Sequence, residues 1–221
     1  LGNCVKLLWA KHLHPPENPE SKKSTFPAQG SKPTRKSGYP KKVANRPDWI
    51  KANHVNNIFS ASGCISEVFA DYINFWKHNG YWLFDSPEII EEIAVEEKID
   101  LSKNTLFYYE AYEMEFNDKL YSWSVFAPVI GFKTNIILPI EKQLRGFDVC
   151  TFSCGNKPEC SPLSCNSLSE TLAVNEHCLF DTFKEAKEAI ESGRFNNSEP
   201  GPYRILAVYT TIHNPALKRS I

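Results

Sequence analysis

The sequence predicts an α+β domain: a largely antiparallel sheet of about five strands with helices packed on it, preceded by an irregular N-terminal arm. Three observations carry this expectation. Apolar residues recur first with the helical period, then with the period of two that marks strands, and a helical pattern returns near the end. Seven of the fifteen prolines fall in the first 50 of 221 residues, and no such crowding follows. Apolar residues make up 42% of the chain and aromatics 13%, enough for one sizeable core.

The arm comes first. Between Pro15, Pro16, Pro19, Pro27, Pro33, Pro40 and Pro47 lie Lys, Ser, Gly and Asn. Proline removes ladder donors and the rest offers little to bury, so residues 1–47 read as extended or disordered and as dispensable for folding. Val5, Leu7, Leu8 and Trp9 form an apolar patch that can dock on the body. Residues 1–50 hold ten Lys/Arg against three Asp/Glu, a balance of +7, and residues 51–221 hold fifteen against twenty-three, a balance of −8. The net charge of −1 therefore joins a basic arm to an acidic body. Such an arm suits an anionic partner, nucleic acid or an acidic protein, or the chain's own body.

A single domain is expected over 48–221. Its first helix is expected over 66–78, where Val68, Phe69, Tyr72, Ile73, Phe75 and Trp76 share one face and Asn79-Gly80 ends the turn. A second helix is expected over 86–98. Ser86 suits the N-cap, Pro87 the first helical position and Glu88 the positive end of the dipole, while Ile89, Ile90 and Ile93 face inward. Leu106 to Phe116 alternates as a strand, Asn117-Asp118-Lys119 turns, and residues 120–127 return. Further strands are expected over 134–138 and 147–153. Thr182 and Glu185 form a capping box for a helix over 183–192, with Gly193 at its left-handed end. Glu199-Pro200-Gly201-Pro202 turns the chain into a final strand from Tyr203 to Thr211.

The chemistry-bearing stretch is 148–178, a long segment between strand and helix with five of the seven cysteines: Cys150, Cys154, Cys160, Cys165 and Cys178. Zinc is one reading, with ligands drawn from Cys154, Cys160, Cys165, His177 and Cys178. The spacings C-x3-C, C-x5-C and C-x4-C lack the tight C-x2-C pair of a zinc knuckle, which argues for a protein without cofactor. Thiol catalysis is another: Cys160 or Cys165 as nucleophile, His177 as base, and Asn166, Asn175 or Glu159 as orienting group. Buried small thiols and a plain loop account for the same residues without chemistry. No His is followed two residues later by Glu, so the deaminase signature fails. The P-loop, G-x-G-x-x-G, H-E-x-x-H, G-x-S-x-G and EF-hand patterns are absent from the sequence. Glu110, Glu113 and Glu115 alternate with aromatics, as on the wet side of an antiparallel sheet.

Surplus Tyr and Trp suit a binding surface, and Trp76, Tyr81, Trp82, Tyr109 and Trp123 are its candidates. The sequence thus favours a non-catalytic binding protein for another protein. A thiol- or zinc-dependent enzyme is the alternative, and nucleic-acid binding through 22–46 comes third, since no aromatic platform interleaves that run. An odd number of cysteines and no secretory apolar run point to the cytoplasm, and nothing approaches a transmembrane stretch.

Overall fold

The computed structural model describes residues 6–13, 44–45, 48–62, 83–84, 86–96, 98, 105–126, 138–153 and 158–211, with the backbone alone at 6–13, 44–45 and 105. The expected helix over 66–78 lies outside these residues, as do most of the expected strand over 134–138, the arm over 14–43, Trp76, Tyr81, Trp82 and Cys154.

The described residues form an α+β fold on a six-stranded sheet. Its strands are β1 (Lys6–Leu13), β4 (Thr105–Tyr112), β5 (Met114–Asn117), β6 (Ser122–Val125), β7 (Lys142–Thr151) and β8 (Tyr203–Thr211). A two-residue ladder joins β2 (Ala44–Asn45) to β3 (Asn57–Ile58). Helices α1 (Pro87–Glu96), α2 (Pro162–Cys165) and α3 (Phe183–Glu191) complete it.

β8 is the centre. It pairs antiparallel with β7 along its whole length, from Lys142 opposite Thr211 to Thr151 opposite Tyr203. β4 and β5 share its other side, with Phe107 opposite Thr210 and Phe116 opposite Tyr203. The single expected strand from Leu106 to Phe116 is thus two strands divided by a bend at Glu113. β6 returns antiparallel on β5 after the expected turn, with Asn117 opposite Ser122. Asn117 Oδ1 accepts from the N–H groups of Lys119 and Leu120 and fixes that turn. β1 adds to β4 as a parallel strand, from Lys6 opposite Thr105 to Leu13 opposite Tyr112. Residues 6–13, read from the sequence as part of a dispensable arm, therefore belong to the sheet.

Both faces of the sheet are covered along β4, β7 and β8, because successive side chains point opposite ways and both sets are apolar. Tyr112, Phe116, Phe147, Val149, Tyr203, Ile205 and Ala207 meet α3 through Phe183, Ala186, Ala189 and Ile190. On the reverse, Phe107, Tyr109, Ala111, Cys150, Leu206 and Val208 meet α1 through Ile90, Ile93 and Ala94, with Phe59, Ala61 and Phe84. The expectation of a wet side is therefore corrected along β4, where Tyr109, Glu110 and Ala111 are all buried, while Glu113, Glu115 and β6 keep partial exposure. α3 starts as expected, with the Thr182 hydroxyl accepting from the Glu185 N–H and the Glu185 carboxylate from the Thr182 N–H.

Candidate functional site

The cysteine-rich segment is organised by a buried carboxylate. Asp148, on the α1 face of β7, accepts from the Ser60 hydroxyl at 2.8 Å, the Ala61 N–H at 2.8 Å and the Ser161 hydroxyl at 2.6 Å. The Cys150 thiol donates to it at 3.2 Å. The Ser62 N–H donates to Ser60 Oγ, and the Tyr109 hydroxyl donates to the Ser60 carbonyl at 3.1 Å. Burial, with the Asp148 carboxylate beside it, pushes the Tyr109 phenol well above its ordinary range. These bonds tie the segment over 60–62 to β7 and to the start of α2. A carboxylate removed from water demands such partners.

The thiols lie around this knot. Cys150, Cys160, Cys165 and Cys178 remain thiols, and only Cys165 has appreciable exposure. Cys165, at the end of α2, has its sulfur 3.9 Å from both the Ser62 and Ser164 hydroxyls. Burial pushes the Cys178 thiol up to about 12; the Ser169 hydroxyl opposes this, and Asp148 and Cys165 reinforce it. Cys160 pairs its backbone with Thr151, whose N–H donates to the Cys160 carbonyl at 2.8 Å. Glu159 joins that pairing through its N–H to the Thr151 carbonyl, and its carboxylate accepts from the Ser153 hydroxyl. Asn166 closes α2 as its C-cap. The His177 ring stacks on Phe59 at 4.1 Å, and its Nε2 lies 3.7 Å from Glu176 Oε1. Asn175 is committed to the backbone: its oxygen accepts from the His177 and Leu179 N–H groups and its amide donates to the Arg145 carbonyl.

Among the expected catalytic residues, Cys160 and Glu159 bond to Thr151, His177 stacks on Phe59, and Cys165 lies beside two serines. Among the described residues no three His, Cys, Asp or Glu side chains gather as a metal site, and Cys154 lies outside them. Tyr109, expected on a binding surface, is fully buried and belongs to the core. Trp123 is half-buried and engaged within the chain, its indole N–H donating to Glu191 Oε1 at 2.8 Å and its ring 5.3 Å from Phe116.

Sequence reasoning missed two features. The first is the β5–β6 hairpin, where Leu120 and Tyr121 at the tip are 74% and 52% exposed and Val125, at the far end of β6 opposite Met114, is 64% exposed. Tyr121 holds φ at +52°, a conformation disfavoured for a bulky side chain. Its ring lies edge-on to Phe116 at 5.3 Å, and its hydroxyl donates to the Glu191 carbonyl at the end of α3. The second is a charged cluster on the α3 side of the sheet, where the Glu110 carboxylate meets Lys142 and the Tyr209 hydroxyl. Comparison with protein-family models, curated proteins and solved structures returned no match.

Proposed function

We propose that this chain is a non-catalytic cytoplasmic binding protein whose partner is another protein, engaged through the tip and edge of the β5–β6 hairpin. The supporting observation is the apolar tip at Leu120 and Tyr121, exposed yet anchored to α3 through Tyr121 and Trp123, with Val125 exposed farther along β6. Strained backbone persists where its surroundings hold it, and such places often serve function. A rigid apolar projection loses little entropy on association and fits the anchor role that dominates interfaces. Among the described residues β6 pairs with β5 alone, and a partner's extended segment can add to its other side.

Against catalysis stands the buried knot, whose hydroxyls and carboxylate are engaged with one another. The four described thiols suit a reducing compartment. Among the described residues no helix is long and apolar enough to cross a membrane.

The test replaces Leu120 with a photo-crosslinking amino acid and, separately, Lys184 on the outer face of α3. Irradiation in a cytoplasmic extract is expected to give a discrete protein adduct from position 120 alone, and Val125→Lys is expected to reduce it at least tenfold. Equal adducts from both positions, or none from 120, overturn the reading.

A further inference from the structure

We infer that the sheet face formed by Tyr108, Glu110 and Tyr209 is a binding site for an alkylammonium group, and that Lys142 is its built-in occupant. The site is separate from the hairpin, so it stands or falls independently of the proposed function.

Tyr108 and Tyr209 face each other across β4 and β8, their rings 5.6 Å apart and inclined at 51°. Glu110 follows two residues after Tyr108, so alternation puts it on the same face. Its Oε2 accepts from the Tyr209 hydroxyl at 2.6 Å, which fixes the carboxylate. Its Oε1 meets the Lys142 ammonium. That ammonium also lies 4.2 Å from the Tyr209 ring centre and 4.8 Å from that of Tyr108, inside the range of a cation–π contact. Burial and the adjacent Glu110 push the Tyr209 phenol upward, so it stays a neutral donor. Two aromatic faces and one fixed carboxylate make the recognition chemistry of an ammonium ion.

A purely structural role does not require this composition. A carboxylate whose side chain is 3% exposed is costly to hold in a sheet core, and an apolar residue in its place is often as stable or more so. The occupant is also placed to leave. Lys142 is the first residue of β7, and its side chain is 33% exposed. Ile140 and Glu141 just before it are exposed. The register with Thr211 is carried by backbone, so the ammonium can swing out without breaking the ladder. An incoming ammonium then takes over its charge and its two ring contacts.

The test is titration of the full chain with n-butylammonium, with tetramethylammonium and with a peptide carrying trimethyl-lysine, read by NMR shifts of the tyrosine rings. The wild type is expected to bind all three weakly and saturably. Lys142→Ala, or Lys142→Met if the alanine variant does not fold, is expected to bind each at least tenfold tighter. Adding Glu110→Gln to either is expected to remove that gain. Tighter binding of the peptide than of tetramethylammonium identifies the ligand as a protein lysine; equal binding identifies a small ammonium compound. If the variant takes up n-butylammonium but nothing larger, the site is only the hole left by Lys142 and the inference fails. It fails equally if Glu110→Gln leaves the binding unchanged.

Discussion

Asp148 carries a large share of the connection between sheet and loop, and its removal should be felt across the molecule. Asp148→Ala leaves the Ser60 and Ser161 hydroxyls and the Ala61 N–H without their acceptor in a buried setting. Each orphaned buried donor costs about 1–3 kcal/mol, so the variant should lose at least about 3 kcal/mol in urea unfolding. Asp148→Asn keeps one oxygen in place and should lose less. A loss under about 1 kcal/mol for the alanine variant would mean that water replaces the carboxylate and the knot holds nothing. The thiols divide by burial. Of the four described cysteines, Cys165 should take iodoacetamide first in the folded protein, since Cys150, Cys160 and Cys178 are buried. Cys178, held up to about 12, should stay unlabelled at pH 10, where an ordinary thiol is ionised. The sign follows for stability as well. The folded state keeps the Cys178 proton after the unfolded chain has lost it, so the unfolding free energy falls as pH rises from about 9 towards 12. Cys178→Ala should flatten that fall. Rapid labelling of Cys178 at pH 8 would contradict both statements, and rapid labelling of any cysteine at pH 6 that His177→Ala slows would revive thiol catalysis. In the sequence Cys160 and Cys165 look alike, both in polar surroundings. Their difference arises because the backbone of Cys160 bonds to Thr151 of β7, whereas Cys165 ends a one-turn helix.

Elements were legible where their signals are local. The capping box at Thr182 and Glu185, the left-handed Gly193 and the turn before Tyr203 are all written within four or five residues, and α3 and β8 follow them closely. α1 begins at Pro87 for the same reason. The bend at Glu113 was not legible, because alternation runs unbroken through it and only the two registers on β8 reveal it. Nor was the burial of Glu110. A glutamate in an alternating strand reads as solvent-facing, and the partner that draws it inward, Lys142, lies thirty-two residues away. β7 has a comparable hidden feature. Its register on β8 shifts between Leu144 and Gly146, and Gly146 holds φ at +138°. A Cβ there would lie 2.5 Å from the Phe180 carbonyl oxygen and 2.7 Å from Leu179 Cβ. The clash is with backbone, so the neighbour cannot simply rotate away. Gly146→Ala should therefore lose at least about 2 kcal/mol, beyond the ordinary effect of glycine replacement in a strand. An unchanged denaturation midpoint would mean that the bulge relaxes, and amide exchange at Phe180 should then report the movement.

At the scale of the whole molecule, composition foresaw the class but not the reach of the sheet. The α+β architecture, the central hairpin and the final strand follow from periodicity, whereas the parallel strand β1 has no local signature. Lys6–Leu13 contains neither clean alternation nor a turn towards its partner, and β4 lies about a hundred residues downstream. The prolines that follow it made the whole arm read as excess. Pairing changes that reading, because β1 covers the edge of β4 along its entire length, from Thr105 to Tyr112. Truncation to start at Asp48 should strip that edge, lower the melting point by more than about 5 °C and promote association through the exposed ladder. A truncation removes the basic segment as well, so a second variant is needed to separate pairing from charge. Leu8→Pro with Trp9→Pro in the full chain serves, since alternate residues of a strand turn their N–H groups to the partner and one of the two prolines must delete a ladder donor. It leaves all ten Lys/Arg of the first 50 residues in place. The paired prolines should lower the melting point nearly as much as the truncation does. If both proteins melt within about 2 °C of the full chain, β1 contributes nothing to the fold and residues 1–47 return to the role of a tether. If only the truncation melts early, the arm acts through its charge on the acidic body, and raising the salt concentration should erase the difference.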